Sequence, residues 1–148
     1  MNHLQNIKVV NNFAPASQAA AATMDANTDT LGFEYATVLF IFGATANAPV
    51  AMSVRHGDEA NLSDGATITG ANIDGGTETD GTTAALPDNT DDTVHAIHVD
   101  LRGLKRYIAP VFTAGSGTNL VSCVTILSKR AEASNVPADS GFGTAIAV

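Results

Sequence analysis

The sequence predicts an all-β fold, a jelly-roll-like β-sandwich with extended N- and C-terminal arms. Short runs rich in Val, Ile, Phe, Tyr and Thr recur along the chain, separated by clusters of Gly, Asn, Asp and Ser. One run, Val50 to Arg55, alternates cleanly between apolar and polar or small residues, the period of a half-buried strand. No stretch carries the wide apolar stripe of a core-facing helix. Many short strands without helices pack as two sheets.

Taken in order, residues 1–30 read as an N-terminal arm. Ile7 to Val10 has the character of a short strand, and Ala16 to Thr23 of a brief helix. The all-Ala character of that helix leaves it no large apolar face to bury. The sandwich domain spans residues 31–130. Glu34 to Phe42 becomes apolar on both faces towards its end, as a central strand covered on both sides would. Val50, Met52 and Val54 then point inward, with Ala51, Ser53 and Arg55 outward. From His56 to Asp92 the chain is dominated by Gly, Asp, Thr, Asn and Ala, with strand character only at Ala66–Gly70 and Ala71–Ile73. Thr93 to Leu101 resumes the period of two, placing His95, Ile97, Val99 and Leu101 on one face. Residues 131–148 are poor in large apolar groups and read as a C-terminal arm.

The two runs Gly103–Phe112 and Leu120–Leu127 flank Thr-Ala-Gly-Ser-Gly-Thr-Asn119, which reads as a hairpin with a loop near Ser116 and Gly117. Such a hairpin sets Phe112 opposite Val121 and Arg106 opposite Leu127. It gathers Arg102, Lys105, Arg106, Lys129 and Arg130 at its root, five of the chain's seven cations. Tyr107, Ala109 and Val111 share one face, and Ile108, Pro110 and Phe112 the other. Pro110 has no ladder donor, which places its strand at an edge or a bulge. An apolar second face is covered either by loops and the N-terminal arm or by a neighbouring subunit, and the subunit is the favoured cover. The basic root is either paired by the chain's own carboxylates or faces an acidic partner. The partner is favoured, because the local sequence offers only Asp100 and Glu132. Arg102, Lys105, Arg106, Tyr107, Val111, Val121, Lys129 and Arg130 are therefore the candidate interface residues.

A net charge of −8 argues against general nucleic-acid binding, which needs cationic surface. No run approaches the length of a membrane helix, and Met1 to Lys8 lacks the pattern of a secretory signal, so synthesis in a cytoplasm and no membrane partner are expected. The single cysteine, Cys123, sits in an apolar run and reads as a small buried hydrophobe.

Catalytic constellations are not visible, and the expectation is no enzyme, no cofactor and no metal. His95 and His98 lie three apart in a strand and so point to opposite faces. His56 has no nucleophile marked for it to activate. Ser116 lacks the strand-to-helix setting of a nucleophile elbow. The acidic groups Asp74, Glu78 and Asp80, or Asp88, Asp91 and Asp92, do not follow the alternating ligands of a calcium loop, and solvated loops are expected instead.

The order of these features resembles small capsid decoration (cement, or minor head) proteins of tailed bacteriophages. The matching features are Val9-Val10 and Pro15-Ala-Ser17 in the arm, Asp29-Thr-Leu-Gly-Phe-Glu-Tyr-Ala-Thr-Val38, and the alternating strand Val50–Arg55. An acidic Gly/Thr-rich middle follows, then Gly103-Leu-Lys-Arg-Tyr-Ile108 and a close near Leu127-Ser-Lys-Arg130. The middle is richer in Gly, Asp and Thr than that pattern, and no Trp follows the alternating strand. The resemblance implies a homotrimeric structural protein on the outer surface of the virion capsid, clamping neighbouring major capsid protein subunits together. The rival from another class is a carbohydrate- or receptor-binding β module of a phage head fibre or tail, which would present exposed aromatic rings. Only Phe13, Phe142, Tyr35 and Tyr107 are candidates for such a platform.

Overall fold

The computed structural model describes residues 6–19, 23–46, 51–73 and 92–130. These form nine strands: β1 (Ile7–Gln18), β2 (Thr23–Asp25), β3 (Thr28–Asp29), β4 (Phe33–Thr45), β5 (Ala51–Gly57), β6 (Ala66–Ile73), β7 (Val94–Asp100), β8 (Tyr107–Thr113) and β9 (Asn119–Arg130). One sheet runs β1-β9-β4-β7, and the other β2-β8-β5-β6 with β3 also on β8. Every pairing is antiparallel. With β2 and β3 as two pieces of one broken strand, the chain crosses between the sheets as a jelly roll does. The all-β sandwich expected from the strand pattern is the fold.

Period-two alternation sets the core. Met52 and Val54 are fully buried, as are Ile108 and Phe112 on the neighbouring β8. They meet Val38, Phe40, Val121, Cys123 and Leu127 from the four-stranded sheet. The Phe42 and Phe112 rings meet edge to face at 5.6 Å, tying one sheet to the other. Burying each of these large side chains stabilises the fold by roughly 1.5–3 kcal/mol.

Of the expected arm, residues 1–30, the segments 7–18, 23–25 and 28–29 are strands of the sandwich. β1 lies along the edge of β9 from Ile7–Ser128 to Gln18–Asn119. The stretch expected to begin a helix at Ala16 continues this strand. An Ala helix would have had nothing to bury, whereas the ladder on β9 satisfies its backbone, and Ile7 and Phe13 anchor it by burial. Asn12, at the bulge between Asn11 and Phe13, pins this edge to the opposite sheet. Its amide nitrogen donates to Thr28 Oγ1 (2.8 Å) and the Ala26 carbonyl (3.1 Å), and its Oδ1 accepts from the buried Thr125 hydroxyl (2.6 Å). The expected C-terminal arm lies outside the described residues.

The expected hairpin does not form. Phe112 pairs with Met52 and Met24, Val121 with Phe42 and Ala16, and Leu127 with Ala36 and Lys8. The segment 114–118 carries the chain from one sheet to the other. β8 and β9 are apolar on both faces because each is the central strand of a different sheet. Pro110 is not in an edge strand, but the ladder on its β2/β3 side breaks between Asp25–Val111 and Thr28–Ile108, so it sits at an interruption.

Candidate interaction surfaces

The crossover from β7 to β8, residues 101–106, brings most of the candidate cations to one end of the sandwich. Tyr35 lies opposite both Asp100 and Ser128, so the end of β7 and the end of β9 flank it. The Arg102 guanidinium and the Lys129 ammonium both stand over the Tyr35 ring, each 5.3 Å from its centre. Arg102 forks onto Asp100, with Nη2 to Oδ2 at 2.6 Å and Nε to Oδ1 at 2.9 Å. Lys129 donates to Glu34 at 3.0 Å. On the other sheet Arg106 forks onto Asp29 at 2.6 and 3.0 Å and stands over the Tyr107 ring. Lys105 donates to Asp64 at 2.6 Å, with Asp58 at 3.4 Å.

The expectation that this basic cluster faces an acidic partner is therefore corrected. Its four described side chains are all paired by the chain's own carboxylates, and all of those acids but Asp100 come from distant sequence. The Arg106 hydrogen bond holds the Asp29 carboxyl below the usual carboxylate range. Arg102 holds Asp100 down at about 2. Asp64 is pulled well below its ordinary value by Lys105, then by the backbone N–H groups of Asp58 and Glu59. Arg130 pairs with Phe33 along β4; its side chain lies outside the described residues.

The apolar candidates separate. Val121 is buried in the core, so its role is packing. Val111 and Tyr107 are half-buried on the outer face of the second sheet. That face is covered in part by the loop 58–65. Leu62 and Asp64 fold over Gly57, where an added Cβ would stand 2.7 Å from Leu62 Cδ2 and 2.6 Å from Asp64 Oδ1. Arg55 donates to the Gly65 carbonyl at 2.7 Å, closing the loop over the sheet.

The outer face of the four-stranded sheet is different, and sequence reasoning missed it. Ile41 pairs with Val94, and Leu39 with Ala96 and Val124, all on the side away from the core. Val94 is 59% exposed, Leu120 39% and Ile41 37%. Leu120 lies across Gly43, whose missing side chain leaves it room. The signal was present in Glu34–Phe42, apolar on both faces. It was read as a strand covered on both sides, but Ile41 is open.

A shallow cleft of about 390 Å³ opens beside β7, lined by Tyr35, Thr37, His98 and Asp100 among others. Thr37 Oγ1 and His98 Nδ1 are 3.1 Å apart. His95 points the other way, half-buried against the Phe42 ring, and burial lowers its pKa. Among the described residues no group of three His, Cys, Asp or Glu is placed to hold a metal ion. No helix among them is long and apolar enough to cross a membrane. The acidic stretches 74–80 and 88–91 lie outside the described residues. Cys123 is fully buried, and burial pushes its thiol up to about 12.

No family model matches this chain, and no curated protein matches it significantly. Among solved structures, the chain is similar to the SPBc2 prophage-derived protein YomS, at 15% identity and a TM-score of 0.49, covering 82% of this chain and 92% of that one. It is also similar to a Bacillus endospore appendage protein that forms disulfide-linked pili, at 12% identity and a TM-score of 0.38, covering 88% and 96% respectively. These are likenesses of β architecture at low identity, and the jelly-roll assignment rests on strand order alone.

Proposed function

We propose that this chain is a structural virion protein that decorates the head of a tailed phage. It assembles as a homotrimer and bridges neighbouring major capsid protein subunits on the outer capsid surface. The observation that supports this reading best is the bare apolar face of the four-stranded sheet, built around Ile41, Val94 and Leu120. A soluble acidic sandwich gains nothing from such a face unless another protein covers it. A structural role fits a basic cluster whose four described cations are each held by the chain's own carboxylates. The sugar-binding alternative loses support at its described rings: Phe13 is buried, Tyr35 lies under Arg102 and Lys129, and Tyr107 lies under Arg106, while Phe142 lies outside the described residues.

The test is addition of purified protein to heads stripped of decoration, with occupancy read by gel mobility and mass. Saturable binding that persists, or tightens, as salt rises is expected, since apolar contact is strengthened and surface charge screened. Failure to bind at any salt would overturn the capsid partner. Binding that collapses with salt would return the contact to charge. Sedimentation velocity tests the trimer, and a strict monomer would overturn it.

A further inference from the structure

The four described sheet edges are not alike. β1 carries two bulges and Pro15, and β2 and β3 are short fragments. β6 contains Gly70 at φ +78°, and its pairing with β5 slips between Ser53 and Arg55. These are the ordinary devices that stop an edge from pairing with another chain. β7 has none of them. Its ladder on β4 runs without a shift from Tyr35–Asp100 to Ile41–Val94, and among the described residues no strand lies on its other side. Its one acidic residue, Asp100, is held by Arg102. Its outward side chains, Val94, Ala96, His98 and Asp100, are exposed, and Val94 continues the apolar face through Ile41.

A regular, unguarded edge is chemically specific. Its free N–H and C=O groups accept another extended backbone, and alternate side chains of that strand settle on the neighbouring face. The chain's own sequence contains a segment of matching length and alternation. In Phe142-Gly-Thr-Ala-Ile-Ala-Val148, Phe142, Thr144, Ile146 and Val148 alternate with Gly and Ala. Laid antiparallel on β7, Val148 stands beside Val94, Ile146 beside Ala96, Thr144 beside His98 and Phe142 beside Asp100. Phe142 then meets the cleft lined by Tyr35, Thr37 and His98. The small residues Gly143, Ala145 and Ala147 would face inward, toward the side where Gly70 and Ala71 of β6 approach Val99 across a cavity of about 310 Å³. Val94 is 59% exposed in the single chain, and a strand from a second copy would lie beside it while leaving Ile41 and Leu120 open on their own strands.

We infer that the free edge of β7 is a strand-acceptor site, filled in the assembled protein by residues 142–148 of a second copy of this chain. The inference rests on the oligomeric reading above and gives it a mechanism: a head-to-tail exchange that closes into a ring.

Directly opposed residues of an antiparallel pair lie about 4.5–5.5 Å apart at Cα, within disulfide range. Full-length chains carrying His98→Cys are mixed with full-length chains carrying Thr144→Cys under mild oxidant, and non-reducing electrophoresis reads the product. A covalent heterodimer as the main product is expected, while buried Cys123 leaves wild-type chains unlinked. A second measurement needs no substitution: alternate β7 amides of the wild-type oligomer should exchange at least about 10-fold slower than in dissociated chains. Absence of the heterodimer together with unprotected β7 amides overturns the inference. So does a double variant that closes its disulfide within one chain, since the strand would then be the chain's own. Neither measurement involves a capsid, so this idea and the capsid-binding reading fail separately.

Discussion

The two outer faces of this sandwich begin alike and finish differently. Both sheets have a central strand apolar on both sides, β8 in one and β9 in the other. On the five-stranded sheet the loop 58–65 folds back, Leu62 is buried over Gly57, and Arg55 fastens the loop at the Gly65 carbonyl. On the four-stranded sheet Ile41, Val94 and Leu120 are left to solvent. The difference teaches that an apolar second face is not by itself an interface. It becomes a candidate only where the chain's own loops fail to cover it.

The core should be indifferent to which outer face is which, so its disruption gives the largest effect. Phe112→Ala removes a ring that touches both sheets and should cost about 3–5 kcal/mol in denaturant unfolding. Ile41→Ala, on the bare face, should cost well under about 1 kcal/mol. Comparable losses at the two sites would mean that Ile41 is covered and the contrast is false.

The clasp at Asn12 comes next. Asn12→Ala strands the buried Thr125 hydroxyl and should cost about 1–3 kcal/mol. Thr125→Val in the same background should restore part of that loss. A neutral Asn12→Ala would show that β1 is held by its ladder alone.

The covering loop gives a smaller, directional effect. Gly57→Ala pushes a methyl into the ends of the Leu62 and Asp64 side chains, which must shift, and should cost about 1 kcal/mol while exposing the outer face of the five-stranded sheet. Binding of a hydrophobic dye should rise with it. An unchanged dye signal would mean that the loop does not shield that face.

The ion pairs should contribute least. Asp29 and Asp100 have folded-state pKa values below those of the unfolded chain, Asp29 through Arg106 and Asp100, at about 2, through Arg102. A depressed carboxylate adds stability above its unfolded value and loses it as pH falls towards its folded one. That contribution is therefore complete above about pH 5 and fades between about pH 4 and 2. Asp29→Asn and Asp100→Asn should flatten the acid limb of the melting profile by no more than a few degrees, because exposed pairs are weak. A shift at neutral pH larger than that caused by Asn12→Ala would reverse this ranking.

What could be read from the sequence was whatever depended on near neighbours. The alternation at Met52 and Val54 predicted their burial, and the all-β class followed from such runs. The hairpin failed because 114–118 has the composition of a turn, and composition does not reveal whether a chain turns within a sheet or crosses to the other. The same error misjudged the cations. Arg106 meets Asp29 across 77 residues and Lys129 meets Glu34 across 95, separations invisible to local reading. β1 was undervalued because its stability lies in the ladder it shares with β9 and not in its own side chains. The bare face was half legible, since Tyr35–Phe42 showed two apolar sides without saying which would stay open.

The central claim is that the four-stranded sheet's outer face makes the contact and the five-stranded sheet's does not. The direct measurement is occupancy of stripped heads by two full-length variants, each with two surface lysines. Ile41→Lys with Leu120→Lys alters the bare face away from the β7 edge, and Ser53→Lys with Thr67→Lys the loop-covered sheet. With both variants melting near wild type, the first should lose at least about 10-fold in affinity, the equivalent of roughly 1.4 kcal/mol, and the second should bind as wild type does. Equal binding by both variants, or loss confined to the second, would contradict the account.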